Sequence, residues 1–201
     1  MSSPGTPPPA TTPPSLVATT VRADGIGPLL AYADGERPLA WLHRGDGMVG
    51  IGEVLRLEFA GAERMRDAAA EWRRIADAAT VSDAVRVPGS GLVAFGTFAF
   101  SAASAMPSTL IVPRTIVGRR GSHTFVTRIR RSDEPAESSR LVPSRRFGEE
   151  FRISLGAGAE TADAFVGHVE QAVERITAGD LSKVVLAREL TGRVPGGADL
   201  R

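Results

Sequence analysis

Two stretches of the chain repeat apolar residues with the period of an α-helix. The first covers residues 61–80, where Met65, Trp72 and Ile75 fall on one arc of the helical wheel and charged residues fill the rest. The second begins at Thr161, a favourable N-cap, and runs to residue 178, before the glycine at position 179. We therefore predict two amphipathic helices, each with a buried apolar face. The first is expected to pack on a sheet that contains residues 92–100.

Shorter apolar runs, separated by glycine, aspartate and proline, predict β-strands. The run 92–100 is apolar on both faces and is therefore expected to be buried on both. The runs 115–119 and 124–130 are joined by Arg-Gly-Ser, which indicates a hairpin. Further predicted strands cover residues 39–43, 49–59 and 109–112. Together these elements predict an α+β fold of antiparallel strands with two helices outside.

The chain begins with a segment of different composition. Residues 1–21 carry no charge and have six prolines within the first fourteen positions. Such a segment buries too little apolar surface to offset the entropy of ordering it. We predict a disordered tail over residues 1–21 and one folded region over residues 22–201.

Overall composition excludes several classes of function. The net charge is +1, with 24 basic and 23 acidic residues, so no global field favours nucleic acid or an anionic membrane. There is no cysteine, which removes disulfides and thiolate chemistry. No apolar run approaches the roughly 20 residues that span a bilayer. A cytoplasmic protein with no nucleic-acid or membrane partner is expected.

Three further patterns carry little chemistry. The three histidines are far apart in the sequence and lack the spacing of metal ligands, so no metal site is predicted from them. The glycine-containing loop 155–159 lacks the third glycine of a dinucleotide-binding turn, so no such cofactor is expected. Residues 114–152 contain ten arginines and five acids; this band is interpreted as a solvated outer face, although it could attract a small dianion.

The most informative stretch is residues 180–190, DLSKVVLAREL, which holds the only lysine, Lys183. The other 23 basic residues are arginines, which stay protonated, whereas a lysine amine can lose its proton and act as a base or nucleophile. The apolar run 181–190 predicts a short buried strand. On such a strand Lys183 shares a face with Val185, while Val184, Leu186 and Arg188 face the other way. The alternative is a lysine that protects a strand edge from aggregation.

The Ala-Gly-Asp turn at 178–180, followed by Leu-Ser-Lys-Val-Val-Leu-Ala-Arg, resembles the chorismate-utilising enzymes, and specifically the isochorismate synthases. A weaker resemblance includes residues 91–100, GLVAFGTFAF, and continues to residue 129; in all it covers roughly residues 40–193. Members of the family that use ammonia carry glutamine where Lys183 stands, and members that use water carry lysine. The resemblance therefore places this sequence with the water users.

The resemblance implies two large sheets packed face to face, with helices outside and a chorismate site. It also implies that Lys183 is the general base for water attacking C2 of chorismate. A glutamic acid would protonate the departing C4 hydroxyl, and further glutamates would hold Mg²⁺. Those glutamates belong to a later portion of the family, so we expect this chain to be the N-terminal portion and inactive alone.

Two alternatives stay open beside isochorismate synthase. One is a salicylate synthase, which shares the lysine and goes on to eliminate pyruvate. The other is a non-catalytic binding or regulatory protein that keeps part of the fold. The sequence leaves open the oligomeric state and whether isochorismate would serve siderophores, menaquinone or another product.

Overall fold

The structure is a computed structural model that describes residues 15–136 and 143–201. The chain divides into two compact units, one of residues 1–147 with 200–201 and one of residues 148–199. Most of the predicted tail, and part of the arginine-rich band, lie outside the described residues. None of the described helices is long and apolar enough to cross a membrane.

The first unit contains nine strands and one α-helix among its described residues. The helix α1 covers Arg64–Ala78 and confirms the first predicted helix. A single 3₁₀ turn covers Leu29–Tyr32. The strands are β1 Leu16–Arg22, β2 Leu39–His43, β3 Asp46–Ile51, β4 Leu55–Phe59, β5 Thr80–Asp83, β6 Phe95–Thr97, β7 Ser108–Val112, β8 Thr115–Arg120 and β9 His123–Arg131.

Six of these strands form one sheet in the order β2-β3-β8-β9-β1-β5. All neighbours are antiparallel except β1 and β5, which are parallel. Arg44 and Gly45 form the two-residue turn between β2 and β3, with φ values of 52° and 85°. Two successive positive φ angles are typical of the type I′ turn that suits the twist of a hairpin. The predicted hairpin of residues 115–130 is confirmed as β8 and β9.

The two faces of this sheet bury separate cores. On one face Leu16, Ile116 and Phe125 pack with Ile75 of α1 and with Val112 of β7. On the other face the 3₁₀ turn covers a second core, whose buried members are Ile26, Leu29, Tyr32, Ala33, Val49, Val117 and Val126. The alternation of side chains along each strand produces this division.

A second sheet has the order β4-β7-β6, with all pairs antiparallel. Its strand β4 begins after Gly52, where φ is +65°, so the predicted strand 49–59 is divided between β3 and β4. The prediction that residues 92–100 form a strand buried on both faces is wrong. Only Phe95–Thr97 is a strand, and Phe100 is fully exposed.

The start of the chain also corrects a prediction. Residues 16–21 were expected to belong to a disordered tail, but they form most of β1, which pairs along its whole length with β9. Leu16, Ala18 and Thr20 are buried, and the Thr20 hydroxyl hydrogen-bonds to that of Thr127 at 2.8 Å. The lack of charge in this segment therefore reflects burial in a central strand.

The second unit holds helix α2, Ala162–Thr177, and a two-stranded antiparallel sheet of β10, Leu155–Ala157, and β11, Leu190–Gly192. The helix itself is confirmed. Its expected buried face is not, because no residue of α2 is buried and Val166 and Val173 are more than half exposed. The α+β class agrees with the two helices and three sheets of the described residues, while the large face-to-face sheets of the resemblance remain a prediction.

Candidate active site

Lys183 lies in the second unit, shortly after the C-terminus of α2. The helix begins where the Thr161 hydroxyl accepts a hydrogen bond from the Ala164 N–H at 3.2 Å. It ends at Thr177, and just beyond it Gly179 has a φ of +82°, which is readily adopted only by glycine. The sequence signals at both ends of α2 are therefore confirmed.

The turn after α2 fixes the start of the lysine segment. The backbone N–H groups of Asp180 and Leu181 both donate to the carbonyl oxygen of Arg175, at 2.9 and 3.3 Å. The Arg175 guanidinium also approaches the Asp180 carboxylate at 3.8 Å. These bonds satisfy the Arg175 carbonyl, one of those that the C-terminal end of the helix leaves without an intrahelical partner. The Ala-Gly-Asp sequence thus directs the chain from the helix into the segment that carries Lys183.

The segment that follows is not the buried strand that the sequence predicts. Within the described chain, residues 182–189 belong to no strand, and pairing starts only at Leu190, in β11. Lys183 is exposed, and so is Val185, at 79%. A strand requires a neighbour for its backbone hydrogen bonds, and β10 offers only three residues to pair with.

The predicted alternation of side chains is nevertheless visible. Val184 and Leu186 are each 38% exposed. Val185, which lies between them in the sequence, is 79% exposed. The Arg188 guanidinium lies 5.9 Å from the centre of the Phe165 ring of α2, within the range of a cation–π contact. Val184, Leu186 and Arg188 thus form the more covered side of the segment. Lys183 and Val185 are on the open side, where a substrate could reach the amine.

The described residues do not supply a magnesium site. Among residues 15–136 and 143–201, no three histidine, aspartate or glutamate side chains lie close enough together to hold a metal ion. Mg²⁺ requires several oxygen ligands at short distance. The described residues therefore do not fit the ion that the resemblance implies.

The position of one lysine does not identify a protein family, but comparison with known proteins does. Residues 10–199 match the family model described as chorismate binding enzyme. The match covers nearly the whole chain, which belongs to the chorismate binding enzyme family. Neither the curated proteins nor the solved structures gave a match to the chain. The family supports an enzyme that uses chorismate, and the reaction is a separate question.

Proposed function

We propose that this sequence belongs to an isochorismate synthase, in which Lys183 is the general base that activates water. The observation that carries the proposal is the position of the only lysine within the segment 180–190 of a chain from the chorismate binding family. Relatives that use ammonia carry glutamine at this position, so the lysine favours water as the nucleophile. The exposed side of the segment leaves the amine accessible to substrate.

The proposed reaction is an isomerisation. The neutral amine of Lys183 accepts a proton from water as the water oxygen bonds to C2 of chorismate. The ring double bonds shift, the C4–O bond breaks, and an acid protonates the departing hydroxyl, so that one water enters and one leaves. A positioned base typically contributes a factor of about 10² to 10⁴ to the rate. The acid and the Mg²⁺ ligands are proposed to lie outside residues 1–201.

The role of a general base requires that the surroundings of Lys183 favour its neutral amine. A lysine acts as a base only in its neutral form, which burial or a neighbouring cation favours. The described residues leave Lys183 exposed and therefore do not desolvate it. We infer that the amine is covered, or approached by a cation, when the substrate binds.

The test uses the protein translated from the whole reading frame that contains these residues, incubated with chorismate and MgCl₂ in ¹⁸O-labelled water. Isochorismate with one solvent oxygen is expected, and Lys183→Gln should lower turnover at least about a hundredfold with little change in chorismate affinity. Arg188→Gln, on the covered side of the same segment, is the control for local damage.

Each other outcome of this experiment has a defined meaning. Salicylate with pyruvate as the final product would identify a salicylate synthase, and anthranilate formed with added ammonium would show that water is not the nucleophile. Equal turnover by wild type and Lys183→Gln would remove the lysine from the mechanism. Intact chorismate binding without any product would favour the non-catalytic alternative.

A further inference from the structure

A cavity of about 460 Å³ lies between the two sheets of the first unit. On the six-stranded sheet it is lined by Leu39 and Trp41 of β2 and by Met48 of β3. Trp41 and Met48 are directly paired across the two strands, so their side chains share the face that lines the cavity. The volume is within the usual range for sites that bind small molecules.

The second sheet supplies the opposite wall. Phe95 pairs with Ile111 and Thr97 pairs with Thr109, and the alternation along β6 and β7 places all four on one face. All four line the cavity. The walls are therefore mostly apolar and partly aromatic, with two hydroxyl groups. Such a lining favours a flat apolar ring and offers few partners to a strongly polar molecule.

Arg120, at the end of β8, is the only charged residue among the described residues that line this cavity. Its guanidinium lies 5.8 Å from the centre of the Trp41 ring, a cation–π distance. Its Nε is buried, and no described residue accepts a hydrogen bond from it. A buried donor without a partner is costly, and a guanidinium pairs best with a planar carboxylate.

The cross-strand neighbour of Arg120 offers no such partner. Arg120 pairs with His123 across the β8–β9 hairpin, but the His123 Nδ1 is hydrogen-bonded to the Arg22 guanidinium at 2.8 Å. The cavity thus combines an aromatic wall with one cation whose buried Nε has no partner among the described residues. A dianion or a phosphate would leave a second charge unpaired among apolar walls, at a substantial desolvation cost.

We propose that this cavity is a binding site for a small aromatic or cyclic monocarboxylate, whose ring lies between Trp41 and Phe95 and whose carboxylate pairs with Arg120. The site lies wholly within the first unit and uses no residue of the Lys183 segment. It does not rest on the proposed reaction.

The experiment titrates the ¹⁵N-labelled 201-residue chain with benzoate, benzyl alcohol and acetate, and follows the indole N–H signals by NMR. The chain has two tryptophans, so a Trp41→Phe variant assigns them. Benzoate should shift the Trp41 signal saturably and leave Trp72 nearly unchanged. Benzyl alcohol, which lacks the charge, and acetate, which lacks the ring, should each bind at least about tenfold more weakly.

Arg120→Gln should weaken benzoate at least about tenfold. Arg73→Gln, which removes an exposed arginine from the outside of α1, should leave benzoate binding unchanged. The comparison of the three ligands on the wild-type chain needs no variant, so it decides the matter even where Arg120→Gln fails to fold. Equal affinity for benzoate and benzyl alcohol, or no saturable shift of Trp41, would overturn the proposal.

Discussion

The helices α1 and α2 have nearly the same length and the same kind of amphipathic pattern, but only one of them buries its apolar face. In α1, Ala68 and Ile75 are buried, at 1% and 0% exposure. In α2, Val173 and Ile176 are 56% and 39% exposed. The periodicity of a sequence therefore predicts that a helix forms and which face is apolar, but not what covers that face.

The difference follows from the strands that each unit offers. The first unit has a six-stranded and a three-stranded sheet, whose side chains meet Ile75 in one core. The sheet of the second unit has two strands of three residues each. So short a pair presents too small a surface to cover a helix of four turns. Two predictions test this contrast, and a third, with the smallest expected effect, concerns an ion pair of the first unit.

The largest difference in effect should be between two isoleucines, one on the apolar face of each helix. Ile75→Ala leaves a cavity in the buried core and should destabilise the first unit by about 2–5 kcal/mol. Ile176→Ala removes a partly exposed side chain and should change stability by no more than about 0.5 kcal/mol. Both tryptophans lie in the first unit, so urea unfolding followed by tryptophan fluorescence reports on it.

Circular dichroism of Ile176→Ala provides the control, because α2 should remain helical. Equal shifts of the urea midpoint by Ile75→Ala and Ile176→Ala would contradict the difference between the two helices. That result would mean that the apolar face of α2 is as important to the folded core as that of α1.

The second effect concerns glycines in the two units. A methyl group at Gly118 of β8 would overlap the Phe125 ring, so Gly118→Ala should cost about 1–3 kcal/mol. A methyl group at Gly167 of α2 would meet nothing within 4 Å, so Gly167→Ala should stabilise the helix by about 0.5–1 kcal/mol. Fluorescence-detected unfolding measures the first change, and thermal loss of helical circular dichroism measures the second. Opposite signs are expected, and a destabilising Gly167→Ala would show that the α2 surface is covered.

Local signals in the sequence were sufficient for part of the fold. The bounds of β2 agree with the prediction, and the turn residues between β8 and β9 identified that hairpin. The caps of α2 at Thr161 and Gly179 were also recognisable. In each case the information lies within a few residues, because hydrogen bonds between near neighbours decide the structure.

Long-range pairing accounts for the errors. Leu16 pairs with Arg131, a partner more than a hundred positions away that composition cannot reveal, so β1 was interpreted as tail. The cavity at Arg120 likewise depends on the order of the strands, because Trp41 and Thr109, which are far apart in the sequence, both line it. No local pattern around Arg120 distinguished it from the other arginines. For Lys183, the sequence indicated the residue through a family motif, while the described residues leave its side chain exposed.

The smallest effect should come from the ion pair that holds the end of β9 in the first unit. Both terminal nitrogens of the Arg114 guanidinium donate to the Glu134 carboxylate, at 3.0 and 3.1 Å, and the Arg131 N–H donates to it at 3.2 Å. The hydrogen bonds from Arg114 are the largest cause that lowers the pKa of Glu134 below its ordinary value of 4.5. Ion pairs that are partly exposed to solvent, as this one is, contribute little to stability.

The lowered pKa of Glu134 determines how the free energy of unfolding of the first unit depends on pH. Since the pKa of Glu134 is lower in the folded state, the unfolded state binds the proton more readily. The contribution of the Glu134 carboxylate to the free energy of unfolding is therefore present above pH 4.5. It is lost as the pH falls through the pKa of Glu134 in the folded state. Glu134→Gln should lower the urea midpoint slightly at neutral pH, and its difference from wild type should shrink in acid. Glu58→Gln, on the exposed side of β4, controls for the loss of one negative charge. A difference that stays constant from neutral to acid pH would mean that the carboxylate charge of Glu134 does not stabilise the first unit.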